Sequence, residues 1–286
     1  MPQQATAIIA TAGSFAAIST LLGSPLVGAF LLMEVVGLAG ATATTVLVPG
    51  LLGAGIGALI FTGLGQLTGK GTFSLAIPGL PTVTRPTVAE FGWALAFGVL
   101  AAGMCWLLRK AAESIRPALE RSPIPGTLLI ALAIAGLAIG FAEATGKSTT
   151  NVLYSGQDQL PSLLNHAASY SVGALLLLLV CKGLAYAGSL VGFRGGPTFP
   201  AMFLGAVGGI ALSHLPGLTL ASAAGMGISA MAVGILRRPF TAVLLTTLFL
   251  GTDGVTIMPL VIVATVVAHV ITINLTPVAG ATADPG

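Results

Sequence analysis

The chain has 286 residues, of which 55% are hydrophobic and only 7% are charged. Soluble domains carry about 25% charged residues, so this composition excludes an ordinary soluble protein and predicts an all-α integral membrane protein with several spans. The net charge of +3 is too small and too scattered for a nucleic-acid partner, so the lipid bilayer is the partner that composition indicates.

Hydrophobic segments follow one another along the chain with few polar residues between them. A straight transmembrane helix needs about 20 residues, yet several segments are shorter and are broken by proline, as at Pro25 and Pro239. Such interrupted segments are typical of membrane proteins with an ion or substrate path. The predicted helical segments are 5–23, 25–38, 43–66, 88–108, 124–143, 170–191, 198–214, 220–236, 240–251 and 255–274.

The polar stretches predict loops and an orientation. Residues 68–87 are rich in Pro, Gly and Thr and read as a long loop, and residues 276–286 read as a flexible tail. Residues 109–123 carry four cations against two carboxylates, so we expect a cytoplasmic loop there by the positive-inside rule. The adjacent pair Arg237 and Arg238 predicts a second short basic loop on the same side.

The sequence contains an internal repeat. Residues 10–32 align with residues 224–246 at an offset of 214, and Pro25 meets Pro239. Both copies read as a small-residue helix, a proline break and an apolar helix, a pattern typical of transporters built from two homologous halves. On this alignment we expect the chain to begin partway through its first half. The predicted units are 1–67 as the end of the first repeat with about three helices, 68–87 as a loop, 88–275 as the second repeat and 276–286 as the tail.

The stretch GFRGGPTFPAMFLGA, residues 192–206, combines glycines and prolines at membrane depth. Its prolines predict a helix that begins near residues 198–200, and Gly195 and Gly196 would allow unusual backbone angles and close approach of a ligand. A helix N-terminus with unpaired N–H groups suits an anion. The alternative is a packing turn in which Gly205 and Gly209 form a small-residue seam. We expect Arg194 to lie at the membrane interface.

The remaining reactive residues give little sign of an enzyme. Cys105 and Cys181 both lie in apolar helical segments, where a cysteine behaves as a small hydrophobic side chain. The sequence shows neither Cys/His metal spacing nor an acid–base or nucleophile constellation among its few polar groups. We therefore expect no enzymatic activity, no metal and no cofactor.

Four segments carry a resemblance to a known family: GSPLVGAFLLMEVVG (23–37), SGQDQLPSLL (155–164), GGPTFPAMFLGAVGG (195–209) and AGMGISAMAVGILRRPFTAVLLTTLFLGTDGVTIMPL (224–260). In order and spacing they resemble the voltage-gated chloride channel (CLC) family. The resemblance implies a CLC-like fold of broken and tilted helices with a partial inverted repeat. It also implies a multi-pass protein of the cell membrane that moves chloride, and a homodimer formed through residues 25–66 and 239–275.

The resemblance also implies candidate site residues. The segment 192–206 matches the selectivity segment of the family, so the implied anion-binding residues are Gly195, Gly196, Thr198, Phe199 and Pro200. Pro197 occupies a position at which the family uses a backbone N–H, and it has none to offer.

Glu34 matches the first of two adjacent glutamates in the family, and Val35 stands where proton-coupled exchangers have the second, proton-passing one. This difference favours passive anion conduction over proton-coupled exchange. An acid at membrane depth is a functional hypothesis by default, so Glu34 is either a pathway residue or a structural acid that caps a helix.

Other segments of the family pattern have no match. The G-S-G-I-P and G-R-E-G-P segments would lie before residue 1, and we expect none of Tyr154, Tyr170 and Tyr186 to replace the tyrosine of the family's last pore helix. The sequence thus predicts an N-terminally shortened anion channel or transporter subunit. The alternatives are a truncated, non-conducting membrane subunit and a proton-coupled chloride antiporter.

Overall fold

The structure is a computed structural model that describes residues 3–36, 41–69, 76–77 and 85–276. Helices are the only regular elements in these ranges, which confirms the predicted all-α fold class. The α-helices are α1 (Gln3–Leu22), α2 (Pro25–Val36), α3 (Ala41–Thr68), α4 (Val88–Arg121), α5 (Pro123–Thr145), α6 (Gln159–Asn165), α7 (Val172–Gly192), α8 (Thr198–Leu212), α9 (Leu220–Leu236), α10 (Pro239–Leu250), α11 (Thr252–Thr256) and α12 (Met258–Leu275).

Long and short apolar helices alternate along the chain. Among the described residues, five helices are long and apolar enough to cross a membrane: α3, α4, α5, α7 and α12. The apolar parts of α1, α2, α8, α9 and α10 have only 10–17 residues and would cross only part of a bilayer. The predicted pattern of full spans mixed with short, interrupted helices is therefore present, and the chain is a multi-pass membrane protein.

One predicted loop is helical. The basic stretch 109–123 was expected to be a loop, but α4 continues through it to Arg121. Its residues are mainly strong helix formers, and Lys110 and Glu113 form an ion pair of 2.9 Å along the helix surface. Charge therefore marks the end of the apolar part of α4 and not the end of the helix. Of the predicted loop 68–87 and tail 276–286, residues 70–75, 78–84 and 277–286 lie outside the described part.

The two aligned prolines each open a helix. Pro25 is the first residue of α2 and Pro239 is the first residue of α10, and each of these helices has 12 residues. A proline is favourable at this position because the first N–H of a helix has no acceptor within it. The repeated pattern of small-residue helix, proline break and apolar helix is thus present in both places, while the division of the chain into two repeats stays a prediction.

Helices α8 and α9 approach each other more closely than side chains would allow. A Cβ atom on Gly205 would overlap the carbonyl oxygen of Gly227, and one on Gly209 would lie 2.5 Å from the carbonyl oxygen of Ala223. The predicted small-residue seam at Gly205 and Gly209 is therefore present, with α9 as its partner. This contact fixes the position of α8, whose first turn carries the candidate site.

A buried carboxylate joins the beginnings of two helices. Glu90, which is 1% exposed, accepts from the N–H of Thr87 at 2.9 Å and completes a capping box at the start of α4. Its other oxygen accepts from the hydroxyl of Thr219 at 3.0 Å, and Thr219 caps α9. Glu90 thereby sets the start of α9 relative to α4, although the two residues are far apart in sequence.

Candidate functional site

The segment 192–206 contains a helix start, as its prolines predict. Helix α7 ends at Gly192, an exposed stretch follows through Gly196, and α8 begins at Thr198 with Pro197 as its N-cap. No side chain caps this helix. The N–H groups of Thr198 and Phe199, in the first turn, therefore have no acceptor within the helix.

Gly195 and Gly196 do not need glycine for their backbone angles. Neither has a positive φ, so the unusual backbone angles that glycine would allow here are not used. A Cβ atom on either residue would meet no atom within 4 Å, and both residues are exposed. The consequence of glycine here is open space and accessible backbone, so a ligand can approach the main chain closely.

The next two residues anchor the beginning of α8 to the core. The ring of Phe199 packs edge-on against that of Phe249 in α10, with 6.3 Å between ring centroids. Pro200 is buried. The turn is therefore open on the glycine side and held by apolar contacts on the helix side.

A cavity of ≈ 360 Å³ adjoins this turn. Gly195, Gly196, Pro197 and Pro200 line it, together with residues of α7 and of the loop that follows α5. Thr198 and Phe199 belong to the same turn but are not among the lining residues. Three of the five implied anion-binding residues, Gly195, Gly196 and Pro200, thus line one cavity. The other two lie between them in the chain but do not line it.

The cavity contains a buried cation that sequence reasoning missed. Lys182 of α7 is 1% exposed and lines the cavity. Its ammonium donates to the carbonyl oxygens of Val152, Leu153 and Tyr154 at 3.0, 3.0 and 2.8 Å. No carboxylate pairs with it among the described residues. Its three donors are used by backbone oxygens, but its charge is not neutralised, so it attracts an anion through space. The signal was a lone lysine inside the apolar run 172–192.

A tyrosine also reaches the turn. The hydroxyl of Tyr186, one helical turn after Lys182, donates to the carbonyl oxygen of Pro197 at 2.9 Å. Tyr154 lines the same cavity. From the sequence, neither Tyr154 nor Tyr186 was expected to replace the tyrosine of a last pore helix. The fold brings Tyr186 to the turn because α7 leads directly into it.

Glu34 lies elsewhere and caps a helix. Its carboxylate accepts from the N–H groups of Phe240 and Thr241 at 2.9 and 2.7 Å, and also from the Thr241 hydroxyl. The side chain of Arg238 donates to its backbone carbonyl oxygen. A carboxylate at a helix N-terminus satisfies free N–H groups and interacts favourably with the helix dipole. This geometry supports the structural role for Glu34, which is not among the residues that line the cavity.

The described residues contain no group of three or more His, Cys, Asp or Glu side chains that could hold a metal ion. What the site does offer is exposed backbone at a helix start, a hydroxyl and an unneutralised buried cation.

Comparison with known proteins identifies one matching family model and a similar solved structure. The model of the voltage gated chloride channel family matches residues 2–272. No curated protein matches the chain. Among solved structures, the crystal structure of a CLC-type fluoride/proton antiporter is similar over 88% of this chain, with a TM-score of 0.65 and 22% identity. The chain spans 59% of the length of that structure. This similarity supports the predicted fold of broken helices.

Proposed function

The chain belongs to the voltage gated chloride channel family, and from this premise we propose that it is an anion-conducting membrane subunit whose transported ion is chloride. We place it in the cell membrane, where it would conduct passively.

The cavity beside the start of α8 carries this proposal. Its wall contains the backbone of Gly195, Gly196 and Pro197 and the charge of Lys182. An anion there would be attracted by the lysine and by the positive end of the α8 dipole. Because the ammonium already donates its three hydrogens to carbonyl oxygens, it would not form a direct hydrogen bond with the ion. A site made of partial charges and a distant cation allows the ion to enter and to leave.

The proposed ligands are the five residues Gly195, Gly196, Thr198, Phe199 and Pro200. The N–H groups of Thr198 and Phe199 are the donors, since Pro197 supplies none. Phe199 and Pro200 hold the turn in place through their contacts with the core.

Passive conduction and proton-coupled exchange are the two candidate modes of transport. Glu34 is engaged by the first N–H groups of α10, which supports a structural acid and passive conduction. The similar solved structure is that of a fluoride/proton antiporter, which favours proton-coupled exchange. A membrane subunit that does not conduct by itself is the third possibility.

The test is ion efflux from liposomes that contain the purified protein. We expect chloride efflux without accompanying proton movement. Replacing the peptide bond between Pro197 and Thr198 by an ester removes one N–H and keeps every side chain. Loss of a hydrogen bond to a charged ligand costs about 1.5–3 kcal/mol, so we expect chloride affinity to fall roughly tenfold or more. Thr198→Pro is a poorer probe, because it would push Pro197 out of its helical ψ of −13°.

The matched control is an ester at Ile124, in the first turn of α5 and away from the cavity, where the N–H also lacks a helical acceptor. Proton movement stoichiometric with anion flux would establish the antiporter instead. Absence of any anion flux would favour the non-conducting subunit. Unchanged chloride affinity in the Thr198 ester would show that the segment is a packing turn and not an anion site.

A further inference from the structure

A second cavity, of ≈ 350 Å³, borders the same turn. Arg109, Glu113 and Arg116 of α4 line it, together with Leu190, Pro197 and Ile235. Leu190 and Pro197 also line the first cavity. The second cavity therefore lies between three helices, α4, α7 and α9, and touches the turn that carries the proposed anion ligands.

One arginine of this cavity is held in place by backbone. A terminal nitrogen of Arg109 donates to the carbonyl oxygens of Gly234 and Ile235, at 3.1 and 3.4 Å, at the end of α9. These bonds use one nitrogen of the guanidinium, and its other nitrogens have no hydrogen-bond partner among the described residues. The cation is thus oriented by the end of a helix, where the dipole favours positive charge, and keeps donors for a ligand.

The second arginine is free to bind. The side chain of Arg116 is exposed and, within the described part of the chain, has neither a hydrogen-bond nor an ion-pair partner. Glu113 is the one carboxylate of the lining, and it is engaged by Lys110 at 2.9 Å. The lining therefore holds two guanidinium groups and one carboxylate, and Glu113, whose charge acts on Lys110, Arg116 and Arg109, offsets the positive charge only in part.

The position along α4 indicates the kind of environment. The apolar part of the helix ends at Leu108, and the charged stretch begins at Arg109. If the membrane boundary follows this change in composition, the cavity lies at the depth of lipid headgroups. Basic pockets between helices at this level on the cytoplasmic side suit anionic headgroups.

We propose that the cavity lined by Arg109 and Arg116 binds a phosphate group. Two guanidinium groups present planar forks of N–H donors, which match the oxygens of a phosphate better than a spherical halide. The volume accommodates a phosphate with bound water or the phosphate of a lipid headgroup. Its two arginines do not line the cavity beside Lys182, although the two cavities share Leu190 and Pro197, so the proposal does not rest on the chloride site.

The experiment uses the purified full chain in detergent, titrated with inorganic phosphate at a fixed chloride concentration and at constant ionic strength set by sodium gluconate. The melting temperature reports binding. We expect phosphate to raise it, with Arg116→Gln weakening apparent affinity about tenfold because one charge-assisted contact is lost. Arg109→Lys keeps the charge at the end of α9 but loses the fork, and should weaken binding in the same direction.

The matched control is Arg121→Gln, an exposed arginine on the same helix that does not line the cavity. It should leave phosphate affinity unchanged. Glu113→Gln should strengthen binding, since it removes the carboxylate of the lining. Equal losses of phosphate affinity in Arg116→Gln and Arg121→Gln would overturn the proposal, and so would a melting temperature that phosphate does not raise.

A last arm identifies the source of the phosphate. Phosphatidic acid in mixed micelles should compete with inorganic phosphate if a lipid headgroup is the natural occupant. If it does not compete while inorganic phosphate still binds in an Arg116-dependent way, the occupant is a soluble phosphate compound. Failure of chloride transport in liposomes would leave both results unaffected, because they measure binding at a different site.

Discussion

Lys182 and Glu34 both place an ionisable group among apolar helices, and both are satisfied by backbone. Glu34 accepts from the first N–H groups of α10, and Lys182 donates to the carbonyl oxygens of residues 152–154. Burial of an unpartnered charge is costly, so such partners are what makes these residues tolerable. The two differ in surroundings, since only Lys182 faces the candidate anion cavity.

Lys182→Met separates the structural part of the lysine from its electrostatic part. Methionine has a similar length but neither donors nor charge, so three backbone carbonyl oxygens lose their partner. A buried unsatisfied group costs about 1–3 kcal/mol, and we expect a comparable loss of unfolding free energy. We also expect weaker chloride binding, measured by titration of the folded variant.

The control for this lysine is Lys147→Met. Lys147 donates to the side chain of Ser169 and does not line the cavity, so its loss should leave chloride binding unchanged. A folded Lys182→Met protein with the chloride affinity of the parent would show that the lysine only supports the loop.

The contact between α8 and α9 depends on the absence of side chains at its centre. Gly205→Ala places a methyl group against the carbonyl oxygen of Gly227, which belongs to backbone and cannot rotate away. Overpacking of this kind costs about 1–3 kcal/mol, and we expect a lower melting temperature together with a disturbed start of α8.

Gly208 provides a matched control on the same helix. A Cβ atom there would lie 3.9 Å from the nearest side-chain atom of Leu179, which is an ordinary contact. Gly208→Ala should therefore be neutral or stabilising by about 0.5–1 kcal/mol, because alanine favours the helix. Equal melting temperatures for the two variants would contradict the close approach of the helices.

Exposed apolar side chains form stripes on two helices of the region expected to dimerise. On α3, Leu52, Ile56 and Ile60 are 64%, 47% and 55% exposed, and on α12 Val266 and Val270 are 50% and 48% exposed. Each set recurs every four residues and so occupies one face of its helix. Such stripes face either lipid or a second copy of the chain.

We expect these stripes to face a second copy. Val266→Trp should then shift the protein from dimer towards monomer, because a bulky ring disturbs the packing of one helix against another. The measurement is the subunit count of single molecules in liposomes. Leu132→Trp on α5, where the residue is 70% exposed, lies outside the predicted interface and should leave the dimer intact. A monomeric parent protein, or equal effects of both substitutions, would rule out this interface.

Local sequence properties determined much of this protein. Hydrophobicity and the scarcity of charge predicted an all-α membrane protein, and Pro25, Pro200 and Pro239 marked helix starts to within two residues. The segment 192–206 indicated the family. These predictions succeeded because apolar composition and proline geometry act within a few residues and do not depend on distant partners. The same local reasoning failed for α4, since charge indicates solvent and not the end of a helix.

Only the tertiary structure decided which distant groups meet. Phe240, 206 residues from Glu34 along the chain, donates to its carboxylate, and Lys182 finds its acceptors 28–30 residues before it. The first cavity arises where α7 packs against the start of α8 and the loop after α5, and the second arises where α4, α7 and α9 meet. A buried charge can be stabilised by any suitable hydrogen-bond partner. Which partner lies next to it depends on how distant segments pack, and a local sequence pattern does not contain that information.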